Sequence, residues 1–241
     1  MRLTREGLQR LRHRHLGYRL TLVTELILLA LLPLAQRVPW LLSVLLSVLA
    51  IVLVCTVSRY SSLRSTRPVI YGLGGLAVLL ELIWQGALVW APTAGRWLTL
   101  PHVAVWVLFL LVAVVRKVKT LIREPFVTLS VVLGAASGYF LVGIAGGVLL
   151  IALWVVHPTG FDASALPPLL PGVSHSVINT MAVGPALIAG AYGLLTTVGT
   201  DVIRTADVSA QVLAYAITIA GQLYVAILIA LILGRVHRRL L

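Results

Sequence analysis

Tyr192-Gly-Leu-Leu-Thr-Thr-Val-Gly-Thr-Asp-Val202 is a short polar, glycine-bearing stretch that lies between two apolar runs. The run before it covers residues 186–195, and the run after it, 208–233, is long enough to cross a bilayer. Irregular backbone is tolerated at membrane depth only where it lines a water-filled path or is buried in protein. The stretch therefore predicts a loop that enters the membrane and returns to the same side.

The composition is that of an integral membrane protein. Of the 241 residues, 60% are hydrophobic and only 11% are charged, whereas soluble domains carry about 25% charged residues. The net charge is +12, but no soluble segment is present that would form a basic groove for nucleic acid. We expect the positive charge to orient the chain in the membrane and to contact anionic lipid headgroups.

Hydropathy predicts six membrane-spanning helices. The apolar runs cover residues 20–35, 41–57, 69–90, 103–115, 126–156 and 208–233. The fifth run exceeds the length that a ~30 Å hydrocarbon core requires. Its small residues predict close contact with neighbouring helices; they are Gly134, Gly138, Gly143, Gly146 and Gly147.

The charge distribution predicts the orientation of these helices. With the N-terminus inside and the stretch before residue 203 re-entering without crossing, sixteen of the 19 Lys and Arg residues lie on the cytoplasmic side. The sequence thus predicts an all-α polytopic protein of the plasma (inner) membrane, with both termini cytoplasmic. Six transmembrane helices are joined by a re-entrant helix and loop between helices five and six. An Arg-rich start before an apolar run also fits a cleaved signal peptide.

Two segments resemble those of a known family. Thr196-Thr-Val-Gly199 resembles the start of the selectivity filter Thr-Thr-Val-Gly-Tyr-Gly-Asp of tetrameric potassium channels, and Gly221-Gln-Leu-Tyr-Val-Ala-Ile-Leu-Ile-Ala230 resembles the inner helix of bacterial channels. With the six-span pattern, the chain resembles a small prokaryotic member of the six-span potassium channel superfamily. The resemblance is best over residues 119–239, about half of the chain.

The resemblance implies a pore domain over residues 124–241, preceded by a basic cytoplasmic segment, 1–19, and a four-helix membrane domain, 20–123. It further implies a homotetramer, with Gly221 as a gating hinge in the inner helix. Its implied selectivity filter consists of Thr196, Thr197, Val198, Gly199, Thr200 and Asp201.

The outer half of this filter departs from the family pattern. Read without a gap, Thr200 replaces the aromatic residue and Asp201 replaces the second glycine; read with a one-residue deletion, Asp201 is the family's aspartate. The carbonyls of residues 197–199 would still replace the hydration shell of an ion. The resemblance therefore implies passive conduction of a monovalent cation, K⁺ or Na⁺, with four Asp201 carboxylates around the outer mouth, rather than strict potassium selectivity.

Other charged residues allow competing interpretations. The fourth run contains no charge, so Arg116, Lys119 and Arg123 predict a cytoplasmic border rather than a voltage sensor. Glu25 and Glu81 are carboxylates inside predicted spans, and Gln85, one turn after Glu81, suggests a hydrogen-bonded pair. A structural role, satisfied by neighbouring helices, competes with a proton relay, and a relay would fit a small proton-coupled secondary transporter. The third alternative is a non-conducting channel homologue.

Sites of other kinds are not indicated. His102, His157 and His175 lie in predicted external loops without the spacing of metal ligands. No catalytic triad, paired carboxylate site or phosphate-binding glycine loop is recognisable. We therefore expect neither an enzyme nor a resident cofactor, and no metal beyond permeant cations.

Overall fold

A computed structural model describes residues 5–60, 67–122, 128–166, 177–204 and 206–240. Over these ranges the chain is helical and forms no β-sheet, as predicted. The helices are α1 (Arg5–Arg37), α2 (Pro39–Tyr60), α3 (Arg67–Trp90), α4 (Pro92–Ile122), α5 (Leu129–Val156), α6 (Val177–Leu195) and α7 (Val208–Leu240), with a single 3₁₀ turn, Pro158–Gly160, after α5.

Five of the helices in the described ranges are long and apolar enough to cross a membrane, namely α1, α3, α4, α5 and α7. The apolar part of α2, Trp40–Thr56, is shorter, and so is that of α6, Ala182–Leu195. The second predicted span therefore forms a helix whose apolar portion, at 1.5 Å per residue, covers only about 26 Å. The first predicted span also begins earlier than the hydropathy pattern indicated, because the apolar part of α1 is Leu16–Arg37.

Helix α5 occupies the centre of the fold. It contacts α1, α4, α6 and α7, and its apolar window is 61% buried, more than that of any other candidate span. Its five glycines let three of these partners, α1, α6 and α7, pack closely. A side chain from a neighbouring helix lies over each of them, in a place that a Cβ atom would crowd. The prediction of close contact at these glycines is confirmed; the covering residues are Tyr18, Tyr224, Tyr192, Ile217 and Ile188.

The contacts along α5 set the direction of its neighbours. Helix α6 runs antiparallel to α5, because Gly184 lies near Ile151 and Ile188 lies over Gly147. Helix α7 is also antiparallel, with Ile217 over Gly146 and Tyr224 over Gly138. Both helices therefore start at the end of the bundle where α5 stops.

Helix α1 runs parallel to α5 on another side. Tyr18 lies over Gly134, and the Ser137 hydroxyl donates a hydrogen bond to Thr21 Oγ1 at 3.0 Å. Helix α1 also packs against α2 and α6. The N-terminal part of the chain is thus in direct contact with the C-terminal part.

The start of α4 corrects one prediction. The fourth span was expected at residue 103, yet the helix begins at Pro92 and continues through Pro101. Proline suits the first turn of a helix because its fixed φ is helical and the missing N–H has no partner there. His102 consequently lies within a helix and is buried, not in an external loop. His175 lies outside the described residues.

Candidate functional site

The segment that follows α6, residues 196–203, turns back along α6 towards the end of α5. Its start lies beside the middle of α5, where the Tyr139 hydroxyl donates a hydrogen bond to the Leu195 carbonyl at 3.2 Å. Its end lies beyond the end of α5, where Ile203 forms an antiparallel bridge with Phe161. Phe161 in turn packs on Trp154, with ring centroids 5.5 Å apart. We call residues 196–203 the return segment.

Two glycines of α6 accommodate the return segment. The Gly199 N–H donates to the Gly193 carbonyl at 3.0 Å, and the Gly199 carbonyl occupies the space where a side chain on residue 193 would lie. Thr200 Oγ1 is 2.9 Å from the Cβ position of residue 190. The segment therefore runs back along the face of α6 that carries Gly190 and Gly193, which we call the glycine face. A side chain at either position would occupy the space that the segment fills.

The backbone of the return segment alternates in conformation. Thr197 has φ 63° and Gly199 has φ 92°, whereas Val198 between them does not have a positive φ. Both positive values lie in the left-handed region of the backbone. Glycine adopts this conformation without strain, but a β-branched threonine does not.

The carbonyl oxygens of this segment are largely unpaired. Within the described ranges, no hydrogen-bond donor reaches the carbonyl of Thr197, Val198, Gly199, Thr200 or Asp201. The first carbonyl that is paired again belongs to Val202, which accepts from the Asp162 N–H at 2.9 Å. The Gly199 carbonyl lies against Gly193 of the same chain, so the other four acceptors are the ones available to something other than this protomer.

The same residues are exposed at the surface of the protomer. Val198 is 85% exposed, and Thr196, Thr197, Gly199 and Asp201 are also exposed. Of the six residues that the sequence analysis predicted as a filter, five are therefore exposed, and Thr200 is half-buried. The segment contacts α6 at Gly190 and Gly193.

Gly221 of α7 lies near this segment. A Cβ at position 221 would approach the Leu195 side chain to 2.7 Å and the Leu195 carbonyl to 2.9 Å. The contact explains a small residue at this position as close packing of α7 on α6. A hinge at Gly221 stays a prediction.

Three tyrosines brace the helices at the start of the return segment, and sequence reasoning did not identify them. Besides the Tyr139 bond, the Tyr192 hydroxyl donates to the Phe140 carbonyl at 2.7 Å, and the Tyr224 hydroxyl donates to the Ala135 carbonyl at 2.7 Å. These bonds join α5 to α6 and to α7. The sequence did contain a signal for these bonds, because each apolar run carries a tyrosine whose hydroxyl needs a hydrogen-bond partner when it is buried.

Glu25 lies beside this tyrosine layer. Its residue surface is 0% exposed, and no hydrogen-bond donor in the described part of the chain reaches its carboxylate oxygens. Lys117 of α4 is the charged group in electrostatic range. The Lys117 ammonium donates to Thr21 Oγ1 and to Ser137 Oγ, each at 2.8 Å. Lys117 therefore provides a compensating charge for Glu25 from a neighbouring helix.

Glu81 lies in a separate place, between α3 and α4. His102 Nε2 is 2.7 Å from Glu81 Oε2, and the Trp106 indole donates to the same oxygen at 3.0 Å. Gln85, the partner expected from the sequence, is on the same helix and is only a distant donor, at 3.4 Å. Glu25 and Glu81 thus form two independent sites.

The side chains of His157 and Asp207 link the end of α5 to the start of α7, and we call this pair the clasp. Asp207 precedes α7 and accepts from the Ala210 N–H at 2.8 Å, while His157, which follows α5, is 2.7 Å away through Nε2. The Ala210 N–H and the His157 imidazole hold the pKa of the Asp207 carboxyl below its ordinary value. The clasp fixes the end of α5 to the start of α7, next to the Phe161–Ile203 bridge.

The described residues contain no group of three or more His, Cys, Asp or Glu side chains that would hold a metal ion. No family model matches the chain, and no curated protein or solved structure is significantly similar to it. The geometry of the return segment is therefore what indicates the chemistry of this site.

Proposed function

We propose that this protein is a subunit of a potassium-channel-like cation channel, which conducts ions passively through the axis of a homotetramer. The observation that supports this function best is the row of unpaired carbonyls at residues 197–201. Carbonyl oxygens arranged in rings replace the hydration shell of a cation. The permeant ion would be monovalent, K⁺ or Na⁺.

The membrane environment makes an uncovered return segment costly. A peptide carbonyl without a hydrogen bond costs several kcal/mol in hydrocarbon, and five such groups begin at the middle of α5. The cost is avoided if other copies of the chain cover the segment around a water-filled axis. Each chain supplies a single return segment, so a ring needs several copies, and closed symmetry is the usual way to build one.

In this arrangement each element has a defined place. Helices α1 to α5 and α7 are the six spans, α6 with the return segment is the re-entrant element, and both termini are cytoplasmic in the plasma membrane. Ions would enter past four Asp201 carboxylates, lose water among the carbonyls of residues 197 and 198, and leave through a cavity lined by α7. Movement of α7 about Gly221 would open the inner end, and the basic segments would contact anionic headgroups.

The proposal is tested with the purified full chain in planar bilayers. In a Cys55→Ala background, we expect cation currents in KCl and NaCl that a Val198→Cys variant retains until a thiol-reactive methanethiosulfonate is added. Block follows because position 198 is exposed on the return segment, and a bulky adduct there would displace the neighbouring carbonyls that line the path. A Leu82→Cys variant, on the exposed face of α3, is the matched control and keeps its current.

Charge at the mouth gives a second readout in the same recordings. Replacing Asp201 with Asn removes a ring of negative charge, so the preference for cations over chloride falls several-fold, while Asp162→Asn, in the loop after α5, leaves it unchanged. Absence of current in wild type would favour a non-conducting homologue. Proton-driven uptake that Glu81→Gln abolishes would favour a transporter instead.

A further inference from the structure

Polar side chains recur along one side of α7, which is otherwise an apolar helix. Gln211, Tyr215, Thr218 and Gln222 follow one another at intervals of four, three and four residues, so they share one side of the helix. The apolar span covers Val208–Ala230, and Gln222 lies about 21 Å from its start, inside the hydrocarbon. We call these four residues the polar flank.

The contacts of α7 fix the direction in which the polar flank points. Ile217 and Tyr224 contact α5, whereas Gly221 contacts Leu195 of α6. Successive residues of a helix are rotated by about 100°, so the polar flank lies beyond the α6 contact, on the side away from α5. The exposed apolar side chains lie on a third side; they include Val212, Ile219 and Leu223.

The polar flank carries hydrogen-bond donors that have no acceptor in the described part of the protomer. Tyr215 is 60% exposed and Gln222 is also exposed, and neither side chain has a hydrogen bond within the described ranges. Thr218 is half-buried, and its hydroxyl donates to the Ala214 carbonyl of its own helix at 3.0 Å. Polar groups inside a span rarely face lipid, because hydrocarbon offers them no hydrogen bond.

The return segment lies at the same depth as the polar flank. At the inner end, Leu195 precedes the segment and contacts Gly221. At the outer end, the Asp207 N–H donates to the Arg204 carbonyl at 3.2 Å, so the segment adjoins the first turn of α7. Rotation about an axis normal to the membrane preserves depth. The flank of one copy can therefore meet the segment of another at matching heights.

The two surfaces also have complementary chemistry. In the described ranges, the available carbonyls of the return segment belong to residues 197, 198, 200 and 201. Carbonyls only accept hydrogen bonds, whereas the Tyr215 hydroxyl and the Gln222 carboxamide both donate. A closed ring of more than two identical copies joins two different surfaces of each chain, since its interfaces are heterologous.

We propose that the polar flank of α7 contacts the return segment of a second copy of this chain, with the Tyr215 hydroxyl donating to the carbonyl of Thr200. Tyr215 lies about 10 Å from Gln222 along α7, the length of about three extended residues. Gln222 then meets the start of the segment beside Thr197. The contact rests on the proposed homotetramer, but not on ion conduction.

Cross-linking of the purified full chain tests this contact. In a Cys55→Ala background, Tyr215→Cys combined with Thr200→Cys places one cysteine on each surface. The reagent is a short bifunctional methanethiosulfonate, whose spacer replaces the reach of the lost tyrosine ring. We expect a ladder of dimers, trimers and tetramers on a non-reducing gel, because each copy is joined to two neighbours. Either single variant should lose this ladder.

Two matched controls locate the contact. Ile219→Cys combined with Thr200→Cys should give no ladder, because residue 219 lies at a similar depth on the exposed apolar side of α7. Tyr215→Phe removes only the donor and should raise the concentration at which the tetramer dissociates several-fold. Tyr71→Phe makes the same change at a partly exposed site in α3 and should leave that concentration unchanged.

The results separate this contact from the channel itself. Cross-linked dimers alone would overturn it, because they indicate a two-fold interface, and so would a ladder from the Ile219 pair only. A tetrameric mass without cross-linking of the Tyr215 pair would overturn the contact and leave the homotetramer standing, whereas a monomer would overturn both. A ladder in a protein without current would support the contact and count against conduction. If Thr200→Cys does not fold, the comparison of Tyr215→Phe with Tyr71→Phe still decides.

Discussion

Single residues determine the shape of the return segment. Thr197 adopts φ 63°, a conformation that costs a β-branched residue about 1–3 kcal/mol. Its hydroxyl donates to the Thr196 carbonyl at 2.6 Å, which offsets part of this cost. Strained backbone persists only where the surroundings hold it, and here the surroundings are the glycine face of α6.

The glycine face provides a prediction at this scale. Gly193→Ala places a methyl group against the Gly199 carbonyl, so the return segment must shift, and we expect the free energy of unfolding to fall by about 1–3 kcal/mol. The midpoint of thermal unfolding in detergent measures this effect. Gly72→Ala in α3 is the control, because no atom lies within 4 Å of its Cβ position; it should be neutral or slightly stabilising. Equal midpoints for the two variants would contradict the packing described for the segment.

The sequence showed which buried side chains need hydrogen-bond or charge partners, but it did not show which residues those partners are. The sequence indicated that Glu25 and Glu81 would need neighbours, but the spacing along one helix suggested Gln85 for Glu81. The stronger partners, His102 and Trp106, come from the next helix. Which helix faces which depends on three-dimensional packing, and apolar runs without a polar face carry little information about it.

Among the elements, α1 and α4 contribute a buried pair of opposite charges, Glu25 and Lys117, where they pack beside α5. Lys117 binds Thr21 and Ser137 and provides the opposite charge for buried Glu25. Removal of one partner from a buried pair costs about 3–5 kcal/mol, because the other charge stays uncompensated. We therefore expect Lys117→Met to destabilise the protein by this amount in thermal unfolding.

A double-mutant cycle separates the charge effect from lost packing. Glu25→Gln removes the charge that Lys117→Met leaves uncompensated, so the double variant should be more stable than the single Lys117 variant by at least about 1 kcal/mol. Lys119→Met, which changes an exposed side chain two residues away, should have little effect. Additive losses in the double variant would mean that the two groups do not interact.

Elements were predictable where hydropathy marks them and less so at their ends. The end of α5, the start of α7 and the break between α6 and α7 followed from apolar runs and glycine. The first ten residues of α4 did not, since polar Arg96 and Thr99 and two prolines resemble a loop. Thr99 nevertheless fits the helix, because its hydroxyl donates to the Gly95 carbonyl and accepts from the Trp84 indole.

At the scale of the whole molecule, the proposed ring has a measurable mass. Four chains of 25.9 kDa each should elute together in mild detergent, and light scattering corrected for bound detergent gives the protein mass. The Gly193→Ala variant should dissociate more readily, because it displaces the segment that the copies share. Gly72→Ala should keep the wild-type mass. A monomer for wild type would leave the carbonyls at residues 197–201 facing detergent and would count against the channel.

The parallel packing of α1 on α5 also limits how the chain can be divided. Tyr18 covers Gly134, Thr21 and Lys117 meet Ser137, and α1 contacts α6 as well. A fragment that starts at residue 124 would expose Gly134, which Tyr18 covers in the full chain, and would leave Ser137 without Thr21 and Lys117. The N-terminal half is therefore not a detachable module, and transplanting the C-terminal half onto a foreign scaffold would require that α1 travel with it.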